Sequence, residues 1–112
     1  MRVGVIGGGL MGSGIAEVCA RSGVDVTIVE IDEARCEQTR AKIERSLERA
    51  ARSGKLEEAD RGAAAERLAY TTRVEDLEGA DAAIEAIVED EGAKRELFLA
   101  LDRLLPDADF LE

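Results

Sequence analysis

The sequence contains no histidine and no tryptophan, and aromatic residues make up only 3% of its 112 residues. Without histidine, the chain alone cannot complete a mechanism that needs a histidine base or a histidine zinc ligand. The scarcity of aromatic residues argues against a base-stacking surface for single-stranded nucleic acid. The net charge of −10 also argues against general nucleic-acid binding.

Cysteine is also scarce, and its placement indicates a redox compartment. Cys19 and Cys36 have no metal-ligand spacing, which favours two reduced thiols in a cytoplasmic protein. No segment has the length and hydropathy of a signal peptide or a membrane-spanning helix, so we expect a cytoplasmic protein without membrane contact. A chain of 112 residues is long enough for one domain and too short for two.

Glycine, in contrast, is concentrated near the start, where six of the eleven glycines lie within the first fourteen residues. Gly7, Gly9 and Gly12 form the pattern G-x-G-x-x-G between a predicted strand at 3–6 and a predicted helix at 10–21. In such a loop the first glycine forms a tight turn, the second lets the backbone approach a pyrophosphate, and the third lets helix and strand pack closely. The sequence therefore predicts a dinucleotide phosphate site.

An acidic residue at the end of the second predicted strand, 24–30, supports this prediction. Glu30 lies eighteen residues after Gly12, close to the spacing of a carboxylate that binds the ribose 2′-hydroxyl. An acid there repels a 2′-phosphate, which favours NAD(H) over NADP(H). Asp32 is an alternative for this role, because predicted strand ends shift by two residues or more. A glycine-rich turn without a ligand is the other interpretation of the loop.

The rest of the chain alternates between helical and strand patterns. Helices are predicted at 33–52, 56–68 and 93–105, and strands at 68–72, at 81–88 and from residue 110. This alternation predicts a parallel sheet covered on both faces. The predicted fold is α/β, a Rossmann-type doubly wound parallel sheet with a helical hairpin inserted after the second strand. Because the pattern stops before or within a fifth strand, we expect residues 1–112 to be a fragment, an NAD-binding domain.

Two segments give the chain a family resemblance. VGVIGGGLMGSGIAEV, at 3–18, resembles the nucleotide loop of the 3-hydroxyacyl-CoA dehydrogenase family, and AIEAIVEDEGAKRELFLALD, at 83–102, resembles its second signature segment. The resemblance implies NAD-dependent interconversion of an L-3-hydroxyacyl-CoA and a 3-ketoacyl-CoA in fatty-acid or butanoate metabolism. It also implies that the catalytic serine, histidine–glutamate pair and asparagine lie beyond the fifth strand, in a C-terminal catalytic and dimerisation domain. The chain alone would then bind NAD without catalysis, and the parent would be a homo-oligomer.

The resemblance also implies which residues bind the cofactor. Glu30 would bind the adenosine ribose, and Ala86 would lie along the cofactor with Glu89 and Lys94 beside its nicotinamide half. For Glu89 and Lys94, ordinary solvated surface charges are the alternative. The residues expected to hold the pyrophosphate are Gly7, Gly8, Gly9, Leu10, Met11 and Gly12.

The helical hairpin is the segment through which the family contacts coenzyme A. Ser46 matches a family position, whereas Ser53 stands where a basic residue is expected, flanked by Arg52 and Lys55. Independently, residues 35–55 carry seven basic and three acidic side chains in an acidic protein, which suits the phosphates of an acyl-CoA substrate. A solvated helix of mixed charge is the alternative.

Two other functions are compatible with the sequence. One is the NAD(P)-binding domain of another hydroxyacid dehydrogenase, which would share the first loop but not the segment IEAIVE with its following lysine. The other is a domain that senses NAD without chemistry, which the absence of histidine favours for the chain taken alone.

Overall fold

The computed structural model describes residues 1–7 and 9–85. Within these residues, four parallel strands form one sheet in the order β3-β2-β1-β4. These strands are β1 (Arg2–Ile6), β2 (Asp25–Val29), β3 (Leu68–Thr71) and β4 (Ala82–Glu85). The connections contain three α-helices and one 3₁₀ helix, namely α1 (Gly9–Arg21), α2 (Glu33–Arg52), α3 (Glu58–Glu66) and Val74–Leu77. The predicted α/β fold of Rossmann type is confirmed, with the carboxyl ends of all four strands at one edge.

The strand register aligns the apolar side chains that form the core. Val3 pairs with Val26 and Val5 with Ile28, and all four side chains are buried. Because side chains alternate along a strand, these pairs lie in two rows on the same face of the sheet. The rows continue into the outer strands with Leu68, Tyr70 and Ile84.

The three helices cover this apolar face. The buried side of α1 consists of small and medium side chains, Ile15, Ala16, Cys19 and Ala20. The other two helices complete the core with Ile43, Leu47 and Ala64. Arg67, directly after α3, donates from Nη1 to the carbonyl oxygen of Ala20 at 2.8 Å. The predicted helical hairpin therefore packs against α1 and is hydrogen bonded to its carboxyl end.

The opposite face of the sheet contacts the 3₁₀ helix, which the sequence pattern did not predict. A Cβ built on Gly4 would lie 2.6 Å from Cδ2 of Leu77, so the missing side chain makes room for the leucine. A 3₁₀ helix of four residues is too short to show a hydrophobic period, which is why the pattern missed it.

Some predicted bounds were wrong. The second arm of the hairpin was predicted at 56–68, but α3 spans only Glu58–Glu66, because Leu56 belongs to the turn after α2 and Leu68 begins β3. The backbone N–H of Leu56 donates to the carbonyl oxygen of Ala50 at 3.2 Å. The predicted helix at 93–105, the strand from residue 110 and the last part of the fourth strand lie outside the described residues.

No helix in the described part of the chain is long and apolar enough to span a membrane.

Candidate functional site

The glycine turn lies at the edge of the sheet where the strands end. Gly7 directly follows β1 and has a φ of +86°, a left-handed conformation that glycine adopts without steric cost. Its backbone N–H donates to the carbonyl oxygen of Val29, the last residue of β2, at 2.9 Å. The turn is thereby fixed beside the end of the neighbouring strand.

Gly9 begins α1 in a conformation that leaves the amino end of the helix open. It has a φ of +50°, and a Cβ built on it would meet no atom of the other described residues within 4 Å, apart from its chain neighbours and the backbone of its own helix. The first turn of α1 contains no acidic residue, so its free N–H groups and the helix dipole favour an anion. Ser13 Oγ donates to the Gly9 carbonyl oxygen at 2.5 Å, which binds the first turn together. These features fit the phosphates of a dinucleotide.

The other loop residues are described in part. Gly12 is buried within α1. Leu10 and Met11 belong to the first turn of the same helix, but their side chains lie outside the described part of the structure. Gly8 lies outside it as well.

Glu30 follows β2 at the same edge of the sheet. Its backbone N–H donates to the carbonyl oxygen of Thr71 at 2.9 Å, and only 8% of the residue is exposed. Its carboxylate oxygen Oε2 accepts a hydrogen bond from Oγ1 of Thr39, which is buried on α2. The carbonyl oxygen of Val29 accepts the hydrogen bond from Gly7, so Glu30 directly follows the residue that is bonded to the glycine turn.

Asp32, the alternative acid, performs a different task. Its Oδ1 accepts the backbone N–H of Arg35 at 2.7 Å, which makes Asp32 the N-cap of α2. Such a cap satisfies one of the free N–H groups at the helix start. Unlike Glu30, Asp32 is exposed.

The start of α2 has a negative electrostatic environment. Burial raises the pKa of the Cys36 thiol, and the nearby carboxylates of Glu33, Glu30 and Asp32 raise it further, while Arg40 opposes them. The electrostatic effects of these three carboxylates on the Cys36 thiol therefore add at the start of α2.

The residues expected to meet coenzyme A lie in and after α2. Ser46 is half-buried on the helix, and Lys55 is exposed in the turn that follows it. The Arg52 guanidinium forms an ion pair with Glu48, one turn earlier. Ser53 is the C-cap of the helix, and its Oγ donates to the carbonyl oxygen of Ala50 at 3.2 Å. Arg52 and Ser53 thus have partners within the helix.

Three of the predicted cofactor residues, Ala86, Glu89 and Lys94, lie outside the described residues. Within residues 1–7 and 9–85, no group of three or more histidine, cysteine, aspartate or glutamate side chains could hold a metal ion.

Thr39 is the residue of this site that the sequence analysis missed. It lies on the buried face of α2, in line with the apolar residues Cys36, Ile43 and Leu47. A polar residue within an apolar helical stripe was the available signal, because a buried hydroxyl requires a hydrogen-bond partner.

The chain is similar in sequence to known proteins. A sequence model described as "3-hydroxyacyl-CoA dehydrogenase, NAD binding domain" matches residues 2–111. A 3-hydroxybutyryl-CoA dehydrogenase of Mycobacterium tuberculosis is 51% identical over 108 residues, which are 96% of this chain and 38% of that protein. The chain therefore spans well under half the length of this relative.

Solved structures agree with the sequence comparison. FadB2 of Mycobacterium tuberculosis superposes with a TM-score of 0.76 at 51% identity, over 96% of this chain and 38% of that one. The (S)-3-hydroxybutyryl-CoA dehydrogenase PaaH1 of Ralstonia eutropha superposes with a TM-score of 0.75 at 36% identity, over 91% of this chain and 36% of that one. The 3-hydroxybutyryl-CoA dehydrogenase of Escherichia coli K12 gives 0.76 at 34% identity, over 93% and 22%.

Proposed function

The chain belongs to the 3-hydroxyacyl-CoA dehydrogenase family, whose NAD-binding domain it matches, and on this premise we propose that it binds the cofactor in a longer enzyme that interconverts L-3-hydroxyacyl-CoA and 3-ketoacyl-CoA. The observation that carries the proposal is that the open amino end of α1 at Gly9 and the buried Glu30 lie at the same edge of the sheet, where the N–H of Gly7 bonds to the carbonyl oxygen of Val29. Its relatives are named 3-hydroxybutyryl-CoA dehydrogenases, and the chain spans only about 38% of the Mycobacterium tuberculosis protein.

In the proposed site, backbone N–H groups bind one part of NAD and side chains bind another. The turn at Gly7 and the first turn of α1 from Gly9 bind the pyrophosphate through backbone N–H groups, with Gly8, Leu10, Met11 and Gly12 completing the loop. Glu30 accepts hydrogen bonds from the adenosine ribose hydroxyls and excludes a 2′-phosphate by charge. We assign Asp32 no ribose contact, because its carboxylate caps α2. Further along the chain, we assign Ala86, Glu89 and Lys94 to the nicotinamide half.

The chemistry that NAD would supply when bound is the exchange of a hydride with the substrate carbon that carries the 3-hydroxyl. Transfer of the hydroxyl proton needs a base poised near neutral pH, and the chain offers no histidine for it. We therefore assign that base to the remainder of the longer enzyme. We also assign to that remainder the residues through which the subunits of the enzyme associate. The contribution of this domain is to bind and orient the cofactor.

For the acyl-CoA, we propose contacts along α2 and the turn after it. Ser46 and Lys55 are the stronger candidates. Ser53 and Arg52 lie beside them, but both already have partners within the helix. The relatives act on CoA substrates by name, which supports a CoA site in the longer enzyme. We also propose a cytoplasmic location, in agreement with the two free, buried thiols.

The test is an assay with acetoacetyl-CoA. The longer enzyme should oxidise NADH with this substrate, and the 112-residue chain should not, even at high protein concentration. Turnover by the chain alone would show that the catalytic residues have been misassigned. If the longer enzyme is inactive with acetoacetyl-CoA but active with a 2- or 3-hydroxy acid that lacks coenzyme A, the rival dehydrogenase function is correct.

A further inference from the structure

We propose that Thr39 is a positioning residue, which holds the Glu30 carboxylate in the orientation that binds the NAD ribose and so sets the preference for NADH over NADPH. The proposal rests on the proposed function, in which Glu30 contacts the ribose. It adds a residue from α2 to a site otherwise formed by β1, β2 and α1.

In the hydrogen bond between Thr39 and Glu30, only the threonine can be the donor. An ionised carboxylate only accepts hydrogen bonds, and the threonine hydroxyl has a single proton, which it donates to Oε2 of Glu30. Both residues are buried, with 4% of Thr39 and 8% of Glu30 exposed. In such surroundings a hydrogen bond to a charged group is stronger than the same bond in water.

The helix fixes where the hydroxyl lies. Thr39 belongs to the buried stripe of α2, and its branched side chain has few rotamers available in a helix. Asp32, through its N-cap bond to Arg35, fixes the start of this helix two residues after Glu30. The donor is therefore held by the fold before any ligand arrives.

A fixed orientation of the Glu30 carboxylate affects binding because the glutamate side chain is long. Its side chain has several rotatable bonds, and ordering it when the ligand binds would cost free energy and weaken affinity. A free carboxylate could also swing away from a 2′-phosphate and tolerate NADPH. A carboxylate has about four acceptor positions, so the bond from Thr39 is compatible with bonds from ribose hydroxyls.

A purely structural role for Thr39 predicts a different result. In that case the hydroxyl only satisfies a buried carboxylate, and its removal lowers the thermal stability and affects both dinucleotides equally. The ratio of the two dissociation constants separates the two roles, because a structural role leaves it unchanged.

The experiment titrates the 112-residue chain with NADH and NADPH and records the melting temperature of each variant. Thr39→Val removes the hydroxyl at nearly constant volume, and Thr39→Ser keeps it. We expect Thr39→Val to bind NADH about tenfold more weakly. Its affinity for NADPH should change less than about threefold, while Thr39→Ser retains most of the original preference. If Thr39→Val does not fold, Thr39→Ala provides the same comparison.

A double variant completes the design. When Glu30→Ala is already present, Thr39→Val should have no further effect on NADH affinity, because its action passes through the carboxylate. If the preference for NADH, measured as the dissociation constant for NADPH divided by that for NADH, is unchanged in Thr39→Val but falls in Glu30→Ala, the proposal for Thr39 is overturned and the proposed function stands. The proposal for Thr39 and the proposed function are both overturned if Glu30→Ala binds NADH and NADPH as the original chain does, or if the original chain does not bind NADH.

Discussion

The backbone N–H of Gly7 donates to the carbonyl oxygen of Val29 across 2.9 Å, which joins the glycine turn to the residue before Glu30. The separation between the glycine turn and Glu30 is therefore set by backbone geometry and by the β1–β2 register, in which Ile6 pairs with Val29. Surface substitutions should leave this separation intact. Changes in the turn itself should not.

Replacement of Gly9 by valine is expected to abolish dinucleotide binding. The new side chain would occupy the open space at the amino end of α1, where the pyrophosphate approaches. Because Gly9 has a φ of +50°, the substitution should also cost about 1–3 kcal/mol of stability. Titration with NADH, combined with chemical unfolding, measures both effects.

A matched control separates strain from blocked binding. Gly23 has a φ of +92° and an equally open Cβ position, but it lies at the opposite, carboxyl end of α1. Gly23→Val should lose similar stability and keep its NADH affinity. If Gly9→Val binds NADH normally, or if Gly23→Val loses binding as well, the turn is not the phosphate site.

The packing of Gly4 against Leu77 predicts a stability effect. In Gly4→Ala the new methyl group would lie 2.6 Å from Cδ2 of the leucine, which must move. We expect a loss of about 1–2 kcal/mol in the free energy of unfolding. In the Leu77→Ala background the same substitution should cost much less, and equal costs in both backgrounds would show that the contact is not the cause.

The buried thiol of Cys19 predicts a loss of stability at alkaline pH. Burial raises its pKa from 9.0 to about 11, so between these values the unfolded chain releases a proton that the folded chain retains. Stability is thus fully present below pH 9 and falls as the pH rises towards 11. This thiol should cost about 1 kcal/mol at pH 10 relative to pH 8. Urea unfolding of Cys19→Ala should show a shallower decrease; an identical decrease would contradict the assignment.

The sequence predicted the glycine turn after β1 and the order of helices and strands well, because local signals determine them. The glycine spacing requires a specific turn after a strand, and the strand and helix periods alternate clearly up to β3. The bounds of α2 were also predicted correctly, since its apolar stripe is long and Gly54 follows its end.

Long-range contacts could not be predicted in this way. The bond between Thr39 and Glu30 depends on how α2 lies against the end of β2, and the contact between Leu77 and Gly4 joins residues that are far apart in sequence. The sequence also could not show the partners of the two acids: Asp32 caps α2, whereas Glu30 accepts a hydrogen bond from Thr39.

Gly7, Gly9 and Glu30 are proposed to form a site for NAD rather than NADP. The most direct measurement is a fluorescence titration of the 112-residue chain with NADH and with NADPH under identical conditions, repeated with Glu30→Ala. We predict that the chain binds NADH at least about tenfold more tightly than NADPH, because the buried carboxylate repels a 2′-phosphate, and that Glu30→Ala narrows this difference. Equal affinity for the two dinucleotides, or a preference for NADPH, would contradict the account.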